Sequence, residues 1–414
     1  MKLILGNGKT AQSLARFLDK QNTPFTLLED TRKINNPSVL QDIDEIFISP
    51  GVPQTQPIVI WAKEKDIPVT SDIELFSRHA QAPIIGITGS NGKSTVTQLL
   101  GEMIANDNKK VAIGGNIGKP ALDCLSSEID FYVLELSSYQ LDYTQNLKLL
   151  TGVVLNITPD HLDRYPSFQH YINTKLSLYT YCQHPVINAN EPLTPPINTP
   201  KYFGIEIPKQ PSDFGTVTCH GSCYFLKGDD VLMAVDEMQL IGKHNVSNIL
   251  ATLALGDQIG LNITAMIASI KVFKGLEHRL EWVTQKHNTD YYNDSKATNA
   301  ISTIKAIKAL TQKYKTITLI LGGIPKDEDY NTLLTLIDSH ITSVILIGQS
   351  THTFKNHLKI THTTQANSMQ TAVKLATNTH CEAVLLSPAC ASFDMFDDFE
   401  HRGRVFKDCV NYLG

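Results

Sequence analysis

Short apolar runs, punctuated by glycine and proline, alternate with segments of helical spacing along most of the chain. Lys2–Leu5 reads as a strand, and in the helix after it the apolar positions Ala11, Leu14, Ala15 and Leu18 share one face. Further strands are predicted at Phe25–Leu28, Ile43–Ser49 and Pro68–Thr70, giving a small parallel α/β unit. A second unit opens at Pro83–Thr88, has strands at Phe131–Leu134 and Gly152–Leu155, and closes on a helix from His244 to Ile259. Between Asn188 and Ser212 the chain turns rich in Pro and Thr, which predicts loop and edge-strand material. A third unit begins near Gly275, with strands at Tyr291–Asn293, Ile317–Leu321, Val344–Ile347 and Ala383–Leu386 separated by helices. The expected fold class is α/β with mostly parallel sheets, in three domains covering residues 1–82, 83–276 and 277–414. The first and third are expected to be Rossmann-like.

Composition narrows the classes. With 414 residues, 42% of them hydrophobic and 19% charged, the chain can build two or three cores. A net charge of −5 gives no global attraction to nucleic acid or anionic lipid, so an anionic ligand must be held by local sites. Seven cysteines without regular spacing read as reduced thiols of a cytoplasmic protein. Cys219, His220 and Cys223 lack the second ligand pair that structural zinc needs. The N-terminal apolar run stops at Gly6, too short for a signal peptide, and no run approaches the roughly 18 residues of a membrane span. A soluble, cytoplasmic monomer without nucleic-acid or membrane partners is the expectation.

The strongest local signal is GITGSNGKST, Gly86–Thr95. It follows an apolar strand and precedes a helix with Val96, Leu99, Leu100, Met103 and Ile104 on one face. A strand, a glycine-rich turn and a helix N-terminus aim backbone N–H groups and the positive end of the helix dipole at one spot. Gly89, Ser90, Asn91 and Gly92 would form the cradle, Lys93 would reach the β- and γ-phosphates of ATP, and Ser94 or Thr95 would approach Mg²⁺. The central domain is therefore read as a phosphate-loop ATPase. The loop is shorter than the general pattern, which wants glycine where Ile87 stands.

GNGKTA, Gly6–Ala11, fits the dinucleotide fingerprint after a strand, with Glu29 and Asp30 at about the right distance. Taken alone it would suggest NAD. The same backbone-to-diphosphate physics serves any nucleotide diphosphate, and an ATP loop in the next domain favours a UDP-linked substrate.

The shortened phosphate loop resembles that of the Mur ligase and folylpolyglutamate synthase superfamily, and further segments carry that pattern in order. Asp30-Thr31-Arg32 resembles the segment that holds uracil, and Ser49-Pro50-Gly51-Val52 a second nucleotide-contacting loop. Gly114–Gly118, with Asn116, resembles the loop that contacts the muramoyl substrate. Glu135 and His161 match metal-site residues, and Asn245, Asn248, Arg279 and Asp294 match positions around ATP. Thr298, Lys326, Ser392 and Phe399 match positions that bind D-glutamate in the D-glutamate-adding branch. The fingerprint ends in Ala11 rather than glycine, and Phe393 is bulkier than the aliphatic residue expected there. The resemblance implies an ATP- and Mg²⁺-dependent ligase that adds D-glutamate to UDP-N-acetylmuramoyl-L-alanine through an acyl phosphate, giving ADP and phosphate. Closure of the three domains would bring the ligands together. Another Mur-type or a folylpolyglutamate-type ligase is the nearest alternative. The absence of an Asn-Lys-x-Asp segment counts against a GTPase-like switch.

In SFQHYINTKLSLY, Ser167 is a candidate N-cap, and Phe168, Tyr171, Ile172, Leu176 and Tyr179 follow helical spacing. Lys175 falls on that apolar face, where it either snorkels to the surface or is driven toward the neutral amine by desolvation. The resemblance implies that Lys175 is carbamylated and helps His161 hold a second metal ion.

Overall fold

The computed structural model describes residues 1–31, 36–160, 164–193, 197, 200–240, 242–360 and 362–413. Two site expectations, Arg32 and His161, lie outside the described residues. The chain forms two compact units. One comprises Met1–Gln239 with Lys243–Phe273, the other Leu240–Gly242 with Lys274–Gly414.

The first unit opens with β1 (Lys2–Leu5), α1 (Lys9–Lys20), β2 (Phe25–Leu28), β3 (Glu45–Ile48), α2 (Pro57–Glu64), β4 (Val69–Ser71) and α3 (Asp72–His79). The strands form a parallel sheet ordered β2-β1-β3-β4. Leu3, Ile4, Leu5, Ile46 and Ile48 are fully buried, the continuous apolar run expected of strands covered on both faces.

A nine-stranded sheet follows in the same unit. Its elements are β5 (Ile84–Thr88), α4 (Lys93–Asn106), β6 (Val111–Gly115), β7 (Phe131–Glu135), α5 (Ser138–Leu141), β8 (Leu149–Val154), α6 (Phe168–Leu176), β9 (Cys182–Asn188), β10 (Lys201–Phe203), β11 (Phe214–Cys219), β12 (Ser222–Lys227) and β13 (Asp230–Ala234), with α7 (Lys243–Gln258) and α8 (Ile263–Val272) after it. The order is β13-β12-β11-β10-β9-β8-β5-β7-β6, parallel as far as β11 and antiparallel beyond. The Pro- and Thr-rich stretch does not lie at an edge as expected. Its strand β10 runs between β9 and β11, anchored by Phe203 at 1% exposure, and three residues are too few to show a period in sequence. His220 and Gly221 make the β11–β12 turn, both with left-handed φ (49° and 83°), the geometry that matches strand twist in a two-residue hairpin. The Cys219–Cys223 spacing therefore belongs to a hairpin.

The second unit holds β14 (Glu281–Lys286), β15 (Thr289–Asn293), α9 (Ala300–Leu310), β16 (Ile317–Gly322), α10 (Asn331–His340), β17 (Ser343–Ile347), α11 (Thr351–His357), β18 (Thr363–Gln365), α12 (Met369–Thr377), β19 (Ala383–Leu386) and α13 (Phe399–Asn411). Its order is β14-β15-β19-β16-β17-β18, with only β14 antiparallel to its neighbour. Because β19 returns between β15 and β16, the loops leaving those three strands emerge together, the place where open α/β sheets assemble sites.

Candidate functional site

Gly92, at φ 84°, is the N-cap of α4 and opens the helix. A Cβ there would lie 2.3 Å from Asn248 Oδ1, so a side chain fits only if Asn248 moves. Asn248 in turn donates to Asn245 Oδ1 (2.9 Å), and both are buried. The loop is bracketed from the other side by the segment after β8. Asn91 N donates to Asn156 Oδ1 (2.9 Å), Asn156 Nδ2 donates to Asn91 O (3.1 Å), and Thr158 N donates to Ser90 Oγ (2.9 Å). Lys93 Nζ donates back to Gly89 O (2.9 Å) and Ser90 O (3.3 Å), so its charge sits over the loop. Ser94 is buried in the first turn of α4, with Thr95 half-buried beside it. Among these, Asn156 and Thr158 escaped the sequence reading. The only sequence signal for them was their place after a strand.

Glu135 ends β7, the strand beside β5, and is 2% exposed. Its Oε1 accepts from Asn116 Nδ2 (2.7 Å), while Oε2 is buried with no hydrogen-bond partner among the described residues. An orphaned carboxylate oxygen is costly unless a cation or donor completes it. With the Ser94 hydroxyl, this donor set fits a hard divalent cation such as Mg²⁺. Lys175 is on α6 and 2% exposed, so it does not snorkel. Its Nζ donates to Gly89 O (2.9 Å) and stands 4.9 Å from the centre of the Tyr171 ring. Burial, followed by the nearby Lys93 charge, pushes its pKa down to about 7, so a substantial fraction is neutral amine near physiological pH.

At the ends of the first sheet, a Cβ on Gly6 would lie 2.3 Å from Ser49 Oγ, so the loops after β1 and β3 touch. Ser49 Oγ is itself buried without a hydrogen-bond partner among the described residues. Thr31 Oγ1 accepts from Gln56 Nε2 (3.4 Å), Asp30 is half-buried, and Gly51 is exposed.

The second unit gathers the remaining residues at its strand-order reversal. Asp294, after β15, is buried. Its Oδ1 accepts from Leu280 N (3.0 Å) and its Oδ2 from Ser387 Oγ (2.7 Å), while desolvation pushes its pKa up to about 7. Arg279 belongs to the same unit and its charge works against that rise. Lys326 Nζ, in the loop after β16, lies 3.4 Å from Thr298 Oγ1, and Tyr330 OH supports that loop by accepting from Lys326 N (3.0 Å). Ser392, after β19, is buried, whereas Phe393 is 70% exposed. Phe399 opens α13. Its carbonyl accepts from Ser295 Oγ (2.8 Å), and Lys296 Nζ lies 3.9 Å from the centre of its ring. Arg402, 1% exposed, was missed by sequence reasoning. Its guanidinium donates to Ser295 Oγ (2.9 Å), Ser295 O (2.9 Å) and Cys390 O (3.0 Å), tying the loops after β15 and β19 to α13.

Residues 87–256 match the Mur ligase middle domain, and residues 278–390 match the Mur ligase glutamate ligase domain. A UDP-N-acetylmuramoylalanine–D-glutamate ligase from Coxiella burnetii is 38% identical over 440 residues, covering 100% of this chain and 99% of the relative. The enzyme of the same description from Pseudomonas syringae is also 38% identical, over 442 residues, covering 100% and 98%. Among solved structures, MurF from Acinetobacter baumannii superposes with a TM-score of 0.62 at 16% identity, covering 97% of this chain and 98% of its own. The UDP-N-acetylmuramate–alanine ligase from Thermotoga maritima gives 0.61 at 16% identity, covering 100% and 99%. These two share the fold. The sequence matches carry more, and on them the chain belongs to the Mur ligase family of ATP-dependent, amide-bond-forming ligases.

Proposed function

We propose that this ligase joins D-glutamate to UDP-N-acetylmuramoyl-L-alanine, consuming ATP and releasing ADP and phosphate, in cytoplasmic synthesis of the peptidoglycan precursor. The observation that carries the reading is the end-to-end identity of 38% with D-glutamate ligases. Residues 1–82 would hold the UDP end, 83–276 ATP, and 277–414 the amino acid, in a chain acting as a monomer.

A free carboxylate is a poor acyl donor. In the proposed reaction a carboxylate oxygen of the substrate attacks the γ-phosphorus of ATP and ADP departs, leaving an acyl phosphate. The D-glutamate amine then attacks the carbonyl carbon, the C–O bond to phosphate breaks, and the amine loses a proton as the amide forms. Lys93 and the N–H groups of the loop would offset charge on the transferring phosphoryl group. Ser94 and Glu135 would hold Mg²⁺, which supplies further charge neutralisation when bound. Lys326, Thr298, Ser392 and Phe399 would grip the two D-glutamate carboxylates, with the ammonium of Lys326 as the charge partner.

Lys175 would carry a carbamate. The ammonium first sheds one proton; the neutral amine then adds to the carbon of CO₂, a C–N bond forms, a second proton leaves, and a buried cation has become an anion able to serve a second metal ion with His161. Burial at 2% exposure beside Gly89 O and a pKa lowered to about 7 support this reading.

The test is substrate dependence. Phosphate release should require ATP, UDP-N-acetylmuramoyl-L-alanine and D-glutamate together, with ADP as co-product. Release of AMP and pyrophosphate would overturn the mechanism.

A further inference from the structure

One arginine outside every expected site residue holds the loop that the nucleotide end of the substrate would meet. Arg164 follows β8, six residues after Thr158, which brackets the phosphate loop. Its Nη1 donates to Gly51 O (2.9 Å), and its Nη2 donates to Pro50 O (2.9 Å) and Val52 O (2.9 Å). The guanidinium lies 4.2 Å from the centre of the Tyr139 ring, fixing its plane. Tyr143 OH adds a second donor to Val52 O (3.1 Å). Three successive carbonyls of one loop thus point at one planar cation.

The peptide bond converts this into a statement about the opposite side of the loop. All peptide bonds of the described residues are trans, so each C=O is antiparallel to the N–H of the next residue. With the Gly51 carbonyl turned to Arg164, the Val52 N–H faces away and is used internally, donating to Ser49 O (3.0 Å). The Val52 carbonyl precedes Pro53, which has no N–H. That leaves the Pro50–Gly51 peptide. Its carbonyl is held by Arg164, so the Gly51 N–H projects in the opposite direction. Gly51 is exposed, and among the described residues none accepts from this N–H.

We infer that Arg164 is a positioning residue for substrate: it fixes loop 49–52 so that the Gly51 N–H is presented to an acceptor oxygen at the nucleotide end of the UDP-linked substrate. The inference rests on the proposed function for the identity of that substrate. Cation-held carbonyls also polarise the peptides they belong to, so the presented donor is stronger than an ordinary amide. Lysine cannot replace this group, because one ammonium neither spans three carbonyls in a plane nor stacks on Tyr139.

The experiment compares Arg164→Met, Arg164→Lys and Gly51→Pro in the full chain, together with the Arg164→Met/Gly51→Pro pair. Arg164→Met should raise KM for UDP-N-acetylmuramoyl-L-alanine about tenfold, with KM for ATP and kcat changing less than about threefold. Arg164→Lys should recover little of this loss. In the Gly51→Pro background, Arg164→Met should add less than about twofold, because both changes remove the same donor. Equal rises in both KM values, full rescue by lysine, or multiplying effects in the pair would overturn the inference. If the proline variant does not fold, the KM split of the two Arg164 variants, read beside their thermal melting, decides alone. Wild-type protein that releases no phosphate with the UDP substrate would defeat the proposed function and take this inference with it. An active wild type with an unchanged Arg164→Met defeats only the inference.

Discussion

Gly92→Ala tests the packing beneath the phosphate loop, because its cost divides into two separable parts. A left-handed φ of 84° costs a residue with a Cβ about 1–2 kcal/mol. The new Cβ would also lie 2.3 Å from Asn248 Oδ1, so Asn248 must rotate and give up its bond to Asn245, at about 1 kcal/mol. Together these amount to about 2–3 kcal/mol. At about 2–4 °C per kcal/mol for a unit of this size, melting should fall by about 4–12 °C. Gly260→Ala supplies the comparison within the same unit. Its φ is 75° and a Cβ there meets nothing within 4 Å, so only the backbone part applies and melting should fall by about half to two-thirds as much. Calorimetry of the two variants gives the difference, and adding Asn248→Ala to Gly92→Ala should recover part of the loss. ATP affinity should fall in Gly92→Ala and hold in Gly260→Ala. Equal melting shifts in the two variants would refute the contact with Asn248 as the reason glycine stands at position 92.

Lys175→Ala should lose most activity and regain part of it when a short carboxylic acid is added to the assay; an untouched rate would rule out the carbamate. Lys326→Ala should raise KM for D-glutamate far more than KM for ATP, since its ammonium stands beside Thr298, a second residue proposed for the amino acid; equal rises would reassign it. Asp72, 1% exposed at the start of α3, has its pKa pushed from the ordinary 3.8 to about 6 by burial. The folded state therefore holds its proton where the unfolded chain has lost it, so stability falls as pH rises from about 4 to 6, by about 3 kcal/mol in all. Asp72→Asn should melt higher than wild type at pH 8 and converge with it near pH 4; parallel melting profiles would show that Asp72 carries no such cost.

The elements that could be read from sequence were those whose signals are local. The phosphate loop is ten consecutive residues between an apolar strand and an amphipathic helix, and β1, β2 and β19 fall where continuous apolar runs placed them. Strand β10 was misplaced because three residues among prolines show no period, and its interior position depends on pairing with β9 and β11. Asn156, Arg164 and Arg402 were invisible for a related reason. Each acts through backbone atoms more than 60 residues away, on Asn91, on Pro50–Val52 and on Ser295, and nothing in their own neighbourhoods announces it. The lowered Lys175 pKa lies between these cases. Helical spacing put the lysine on an apolar face, but only the fold shows that Lys93 stands near enough to add to desolvation.

The central claim is the identity of the acceptor amino acid. The direct measurement is phosphate release from ATP with UDP-N-acetylmuramoyl-L-alanine fixed and the amino acid varied, with the product followed by mass. Release should occur with D-glutamate, and the UDP product should gain one glutamyl residue. L-glutamate, L-alanine and diamino acids should give little. Equal turnover with L-glutamate, or preference for any other acceptor, would contradict the account.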